Sequence, residues 1–116
     1  KLIEAELFDD FLEQAEALLN AGYFQPAAVL CGAVLADGLR KLCTKNGIAI
    51  SDQAKVDSMN SELARAGIYS KLIQKRMTAL ADLRNKAAHG NWGEFNEYDV
   101  QEMLVQVRRL MSEFFV

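Results

Sequence analysis

The ten residues AAVLCGAVLA, which run from Ala27 to Ala36, carry no charge and would be apolar on every side of a helix. A helix that is apolar all round is normally covered by neighbours on several sides. The stretch is too short to cross a membrane, which takes roughly 20 apolar residues. It therefore predicts the central helix of a globular helical domain that has no membrane span.

The rest of the chain repeats its apolar residues at helical spacing, and no run alternates with a period of two over the length of a strand. The predicted helices run from about Ile3 to Asn20, from the turn of Pro26 to about Lys45, from a cap at Ser51 and Asp52 to Gly67, from a cap at Ser70 to about Ala88, and from a cap at Asn96 to the end. The third of these helices is short. We therefore predict an all-α fold, an up-down bundle of four to five helices that forms a single domain over residues 1–116.

The first predicted helix is acidic. Six of the sixteen acidic residues lie within the first sixteen positions, and the whole chain has a net charge of −3. That charge argues against a protein that coats nucleic acid without specificity. We expect this helix to bury one apolar stripe, made of Leu7, Phe11, Ala15, Leu18 and Leu19. We also expect that a chain beginning at Lys1, without an initiator methionine, is a piece of a longer protein.

Small residues recur every four positions in the second helix, at Ala28, Gly32 and Ala36. Residues at this spacing lie on one face of a helix, where they allow another backbone to come close. Glycine within a helix costs roughly 1 kcal/mol relative to alanine, and tight packing offsets that cost. We expect a close crossing within the chain, and a contact between two chains is the second interpretation.

The two cysteines lie twelve positions apart in one predicted helix, which separates their Cα atoms by about 18 Å. Cys31 and Cys43 therefore do not pair with each other. With one histidine and no Cys-x-x-Cys motif, the sequence offers no zinc site. We predict no metal or other cofactor, and free thiols favour a cytoplasmic location.

The segment from Arg84 to His89, RNKAAH, contains the only histidine and lies where the fourth helix is predicted to end. RNA carries its own nucleophile in the 2′-OH, so its cleavage needs a group that transfers protons near neutral pH and a cation for the phosphate. Histidine and arginine are those two groups. Five helical positions separate the two side chains by about 140°. Both can face one phosphate only if the helix ends before His89, and otherwise a second chain must supply half of the site.

The chain here resembles the HEPN superfamily, which consists of small helical-bundle domains with an arginine, a polar residue and then a histidine at the end of a long helix. Arg84, Asn85 and His89 match that motif. The resemblance extends to the Gly-Tyr-Phe turn at residues 22–24, the Pro-Ala-Ala start of the second helix, an acidic Asp37 and a final helix after the His-Gly loop. It implies a metal-independent ribonuclease whose two motifs meet across a homodimer. Many members of the superfamily are instead inactive binders of RNA, nucleotides or proteins.

Other residues are candidates for supporting roles. Asn85 and Asp82 precede His89 by four and seven positions and could orient its imidazole, a role for which Asp37 competes. Lys86 could contact phosphate, and Trp92 could stack on a base. Simpler interpretations remain open for all of them. His89 could merely end the helix, and Arg84 could pair with Asp37 or Asp82. Asp37 and Lys86 could be surface charges, and Trp92 could cover the core.

The leading prediction is a metal-independent endoribonuclease of the defence or toxin type, with Arg84 and His89 as its catalytic residues. The expected partners are RNA or a nucleotide, a second copy of the chain, and an antitoxin or another domain of a longer protein. The alternatives are a non-catalytic module that binds RNA, a nucleotide or a protein, and a dimerisation domain in which the two residues only hold the interface.

Overall fold

The computed structural model describes residues 2–115, with side chains from residue 6 onward. Within that range the chain forms α1 (Leu2–Asn20), α2 (Phe24–Lys45), α3 (Val56–Arg65), α4 (Lys71–Ala88) and α5 (Glu97–Phe114), with a 3-10 turn at Trp92–Glu94 between the last two. The described residues form no strand. The all-α prediction, with one helix shorter than the other four, is confirmed.

Helix α2 is the centre of the bundle, as its apolar sequence predicts. It packs against α1, α3, α4 and α5. Its buried residues are Ala27, Ala28, Cys31, Gly32, Val34, Leu35, Gly38, Leu39, Leu42 and Cys43. Both cysteines are free and buried. No helix in the part of the chain described is long and apolar enough to span a bilayer.

The buried face of α1 differs from the predicted stripe. Phe8, Leu12, Ala15 and Leu19 are buried, whereas Leu7 and Phe11 are exposed. The buried residues follow the spacing i, i+4, i+7 and i+11, which describes a single helix face. Because α1 packs only one side against α2 and α5, apolar residues next to that face remain in solvent.

Helix α3 begins later than predicted, at Val56, and neither Ser51 nor Asp52 caps it. The Ser51 hydroxyl instead accepts a hydrogen bond from the backbone N–H of Gln53 at 3.0 Å, which closes a local turn. Arg40 of α2 fastens that turn by donating to the carbonyl oxygens of Ser51 and Ala54 at 3.1 and 3.0 Å. The segment before α3 is therefore tied to the central helix.

The two other predicted caps are present. The Ser70 hydroxyl accepts a hydrogen bond from the backbone N–H of Ile73 at the start of α4. Asn96 and Asp99 form a reciprocal capping box at the start of α5, with distances of 2.9 and 3.0 Å. Helices α4 and α5 therefore begin where the sequence predicts.

The close crossing predicted from the small residues of α2 lies within the chain. A Cβ atom built on Gly32 would come within 2.7 Å of Cγ and 3.3 Å of Cβ of Arg84 on α4. The glycine thus lets α4 approach α2 at the position where α4 carries its first candidate catalytic residue. The same contact covers Gly32, so this glycine is not open to a second chain.

Candidate functional site

A pocket of about 270 Å³ lies between the start of α3 and the end of α4. It is lined by Lys55, Val56, Asp57, Arg84, Asn85 and His89. We call it the Arg–His pocket. Its two walls come from different parts of the chain: α4 supplies the arginine, asparagine and histidine, and the residues around the start of α3 supply the rest.

The Arg84 side chain is held in place by packing near the backbone and by a hydrogen bond at its guanidinium. Its aliphatic stem lies against Gly32 of α2, and its Nη1 donates a hydrogen bond to the side-chain oxygen of Asn85 at 3.2 Å. Among the residues described, no carboxylate lies within 4.0 Å of the guanidinium. The expected ion pair with Asp37 or Asp82 is therefore not formed, and most of the five N–H donors of Arg84 remain available to a ligand.

His89 occupies the C-cap position of α4, with φ −92° and ψ 2°. The helix therefore ends at Ala88, which meets the condition under which Arg84 and His89 can face one phosphate in a single chain. The imidazole is on an exposed residue, and within the described structure it makes no side-chain hydrogen bond. Among the residues described, no carboxylate orients it.

Asn85 lies in the pocket but supports a different residue from the one predicted. Its side-chain oxygen accepts from Arg84, so the amide orients the guanidinium rather than the imidazole. A bond to the neighbouring side chain limits the directions in which Arg84 can point.

The two predicted acidic partners of His89 lie elsewhere. Asp37 pairs with Lys41 one helical turn away at 2.9 Å and borders a different pocket, between α1 and α2. Asp82 pairs with Lys86 at 3.0 Å and faces α5. Both carboxylates are engaged by lysines on their own helices, so the structure does not bring either one to His89.

Lys86 also lies outside the Arg–His pocket. It lines a second pocket, between α4 and α5, whose acidic residues are Asp82, Glu94, Asp99 and Glu102. Hydrogen bonding to Asp82 and the charge of that carboxylate raise the pKa of Lys86. A lysine surrounded by carboxylates is a poor site for an RNA phosphate, because the acids repel the same anion. Lys86 thus lies apart from Arg84 and His89, and its contact with phosphate stays a prediction.

Trp92 is half-exposed and packs edge-on against Phe95, with ring centroids 6.1 Å apart. It borders an apolar groove of about 460 Å³ on α2, which is lined also by Gln25, Pro26, Val29, Leu30 and Ala33. Trp92 does not line the Arg–His pocket. Its position fits the simpler interpretation, in which the ring covers neighbouring apolar residues.

Lys55 and Asp57 are residues of the Arg–His pocket that sequence reasoning missed. They flank Val56, a buried residue at the start of α3. The only local pattern that could have indicated these two pocket residues is an apolar residue between two charged ones. That pattern is common at the ends of surface helices. Their proximity to Arg84 follows from the tertiary contact of α3 with α4.

Among the described side chains, which are those of residues 6–115, no group of three or more histidines, cysteines or carboxylates is arranged to hold a metal ion. Comparison of the chain with protein-family models, with curated proteins and with solved structures finds no match. The case for a function therefore depends on the chemistry of the Arg–His pocket.

Proposed function

We propose that this chain is a HEPN-like domain that acts as a metal-independent endoribonuclease of the defence or toxin type, with Arg84 and His89 as its catalytic residues. One observation carries the proposal: Arg84, whose guanidinium has no carboxylate partner among the described residues, lines the same pocket as the only histidine of the sequence.

The proposed reaction uses the 2′-OH of RNA as the nucleophile. The 2′-oxygen bonds to phosphorus as the bond from phosphorus to the 5′-oxygen breaks. His89 carries one of the two proton transfers, from the 2′-OH or to the leaving 5′-oxygen, and water carries the other. Arg84 donates hydrogen bonds to the non-bridging oxygens, where negative charge grows in the transition state. Asn85 holds the guanidinium in place through its side-chain oxygen. The products are a 2′,3′-cyclic phosphate and a free 5′-OH.

The charge distribution supports a site at this pocket. The acidic helix α1 packs on α2 and α5, whereas the pocket lies between α3 and α4. The phosphate therefore approaches a part of the molecule distinct from the acidic helix. We place such a ribonuclease in the cytoplasm, since both free thiols are compatible with a reducing compartment.

Cleavage of labelled RNA in the presence of EDTA tests the proposal. Because general acid–base catalysis typically contributes about 10²- to 10⁴-fold, we expect His89→Ala to remove most of the activity. Arg84→Lys should also fail, since an ammonium does not reproduce the planar fork of arginine. Lys75→Ala is the matched control, because Lys75 is an exposed residue of α4 that does not line the pocket.

A DNA strand of the same sequence should stay intact, because it lacks the 2′-OH. Cleavage that survives His89→Ala, stops with EDTA or acts equally on DNA would contradict the proposed mechanism.

A non-catalytic module that binds RNA or a nucleotide is the second candidate. The absence of any hydrogen bond to orient the His89 imidazole, among the residues described, favours it. In that case Arg84→Ala abolishes binding, and no RNA is cleaved by any variant.

We further propose that two copies of the chain associate. Arg84 covers Gly32 within one chain, so the small residues of α2 no longer argue for a dimer. The remaining support is the apolar groove at Trp92, which adjoins a smaller pocket at Phe11 through the shared residues Leu30 and Ala33. Sedimentation at tens of micromolar should give a dimer, and a monomer alone would contradict this part of the proposal. An antitoxin or another domain of a longer protein is the alternative occupant.

A further inference from the structure

We infer that Lys55 binds the RNA backbone in the Arg–His pocket, opposite Arg84, so that one cation just before α3 and one on α4 hold two adjacent phosphates. This inference rests on the proposed function, since it assigns a further residue to the same site. Of the candidate ligands, RNA and a nucleotide, it favours a single RNA strand, which carries consecutive phosphates.

The first support is the placement of Lys55. It is the N-cap residue of α3, and it lines the wall of the pocket that faces the end of α4. Val56, the next residue, is 4% exposed and anchored in the core. The preceding turn is fastened by the two hydrogen bonds from Arg40. The backbone at Lys55 is thus held from both sides, and only its side chain is free to reach a ligand.

The second support is charge. Within the part of the chain described, neither Lys55 nor Arg84 forms an ion pair, so no neighbouring carboxylate neutralises either charge. The pocket contains one carboxylate, Asp57, against these two cations. Its charge is therefore positive even with His89 neutral, in a chain whose net charge is −3.

The third support is size. A pocket of about 270 Å³ lies just below the roughly 300–1,000 Å³ that encloses a drug-sized ligand. A pocket of this size is large enough for one phosphate and part of its nucleotide, so the next phosphate of the same strand would lie outside it. Lys55 lines the pocket and is itself exposed, and a lysine binds phosphate as a flexible point charge.

The test is the salt dependence of binding to a single-stranded 2′-O-methyl oligonucleotide, which cannot be cleaved by 2′-OH attack. For single strands, the slope of log K against log salt concentration changes by about 0.7 for each phosphate contact. Lys55→Gln should therefore lower the slope by about 0.7 and weaken binding at low salt by roughly three- to tenfold. Lys75→Gln, which removes the same charge from the exposed part of α4, should change both quantities much less.

Lys55→Arg should leave the salt-dependence slope unchanged, because it retains the charge. Circular dichroism of each variant serves as the control for folding. Equal effects of Lys55→Gln and Lys75→Gln would overturn the inference, as would a wild-type chain that does not bind the oligonucleotide. Binding that depends on Lys55, without cleavage of unmodified RNA by the same preparation, would leave the inference standing and overturn the ribonuclease alone.

Discussion

At Gly32 the central helix and α4 come closer than a larger residue would allow. The nearest atoms belong to the stem of Arg84 rather than to its flexible end. A side chain at position 32 would therefore have to displace the base of the arginine. The glycine positions the guanidinium as well as allowing the helices to pack.

We predict that Gly32→Val destabilises the fold by about 1–3 kcal/mol, the usual cost of overpacking a core. Ala17→Val is the control, since Ala17 is an exposed residue of α1 that lines none of the pockets described, and exposed substitutions usually change stability by less than about 0.5 kcal/mol. Urea denaturation measures both. Equal unfolding midpoints for the two variants would show that α4 can move away from α2 at no cost.

The pocket residues that could be predicted from the sequence are those that lie close together along the chain. Arg84, Asn85 and His89 lie within one helix end, so their types and spacing were visible in the sequence. Lys55 and Asp57 join them only through the contact between α3 and α4. The partners of Asp37 and Asp82 were missed for a related reason. Each has a lysine four positions away, and this nearby pair forms in place of the distant one.

At the scale of whole helices, the caps decide how well boundaries can be predicted. Ser70 and Asn96 cap α4 and α5 because each is followed at once by a helix that buries an apolar face. Ser51 has the same capping side chain, but Arg40 draws the carbonyls of residues 51 and 54 toward α2. That long-range contact, which no local pattern reveals, delays the start of α3 to Val56.

The caps make a paired prediction. Asn96→Ala should destabilise the fold by about 1 kcal/mol, because it removes one half of a reciprocal capping box. Asp52→Ala should have almost no effect, although the sequence marks Asp52 as an equally good cap, because the helix begins four residues later. Thermal or urea denaturation distinguishes the two. A comparable loss in both variants would mean that Asp52 stabilises the turn in another way.

For the whole molecule, the placement of α2 at the centre was predictable because its sequence is apolar on every side. The orientation of α1 about its own axis was harder to predict, since its apolar residues extend past the face that packs on α2 and α5. Which of two neighbouring stripes is buried depends on how that helix is rotated. Leu7 and Phe11 consequently remain exposed, and Phe11 lines a pocket together with Leu30 of α2.

The core also holds acidic groups that stay neutral. Burial raises the pKa of Cys31 to about 12, and it raises the pKa values of Cys43 and Tyr69 as well. In the unfolded chain these groups lose protons near their ordinary values of 9 and 10. Above pH 9 the folded state therefore binds more protons than the unfolded state, so stability falls as pH rises.

We predict that the free energy of unfolding declines from pH 9 to pH 11, by about 1.4 kcal/mol per pH unit for each such proton. Cys31→Ala should make the decline shallower by up to one proton, whatever its effect on stability at neutral pH. Urea denaturation at a series of pH values gives the slope. A profile that stays flat up to pH 11 would contradict the prediction.

The contact between Gly32 and Arg84 also has a genetic consequence. If the chain is toxic to the cell that makes it, a selection for survivors should recover substitutions at Gly32 beside those at Arg84 and His89. Such survivors would carry an unchanged set of pocket residues, and their lesion would lie in the helix behind the pocket. A second change that shortens the residue at position 84 would relieve the steric clash but would not restore toxicity. It removes the same guanidinium for which the glycine makes room.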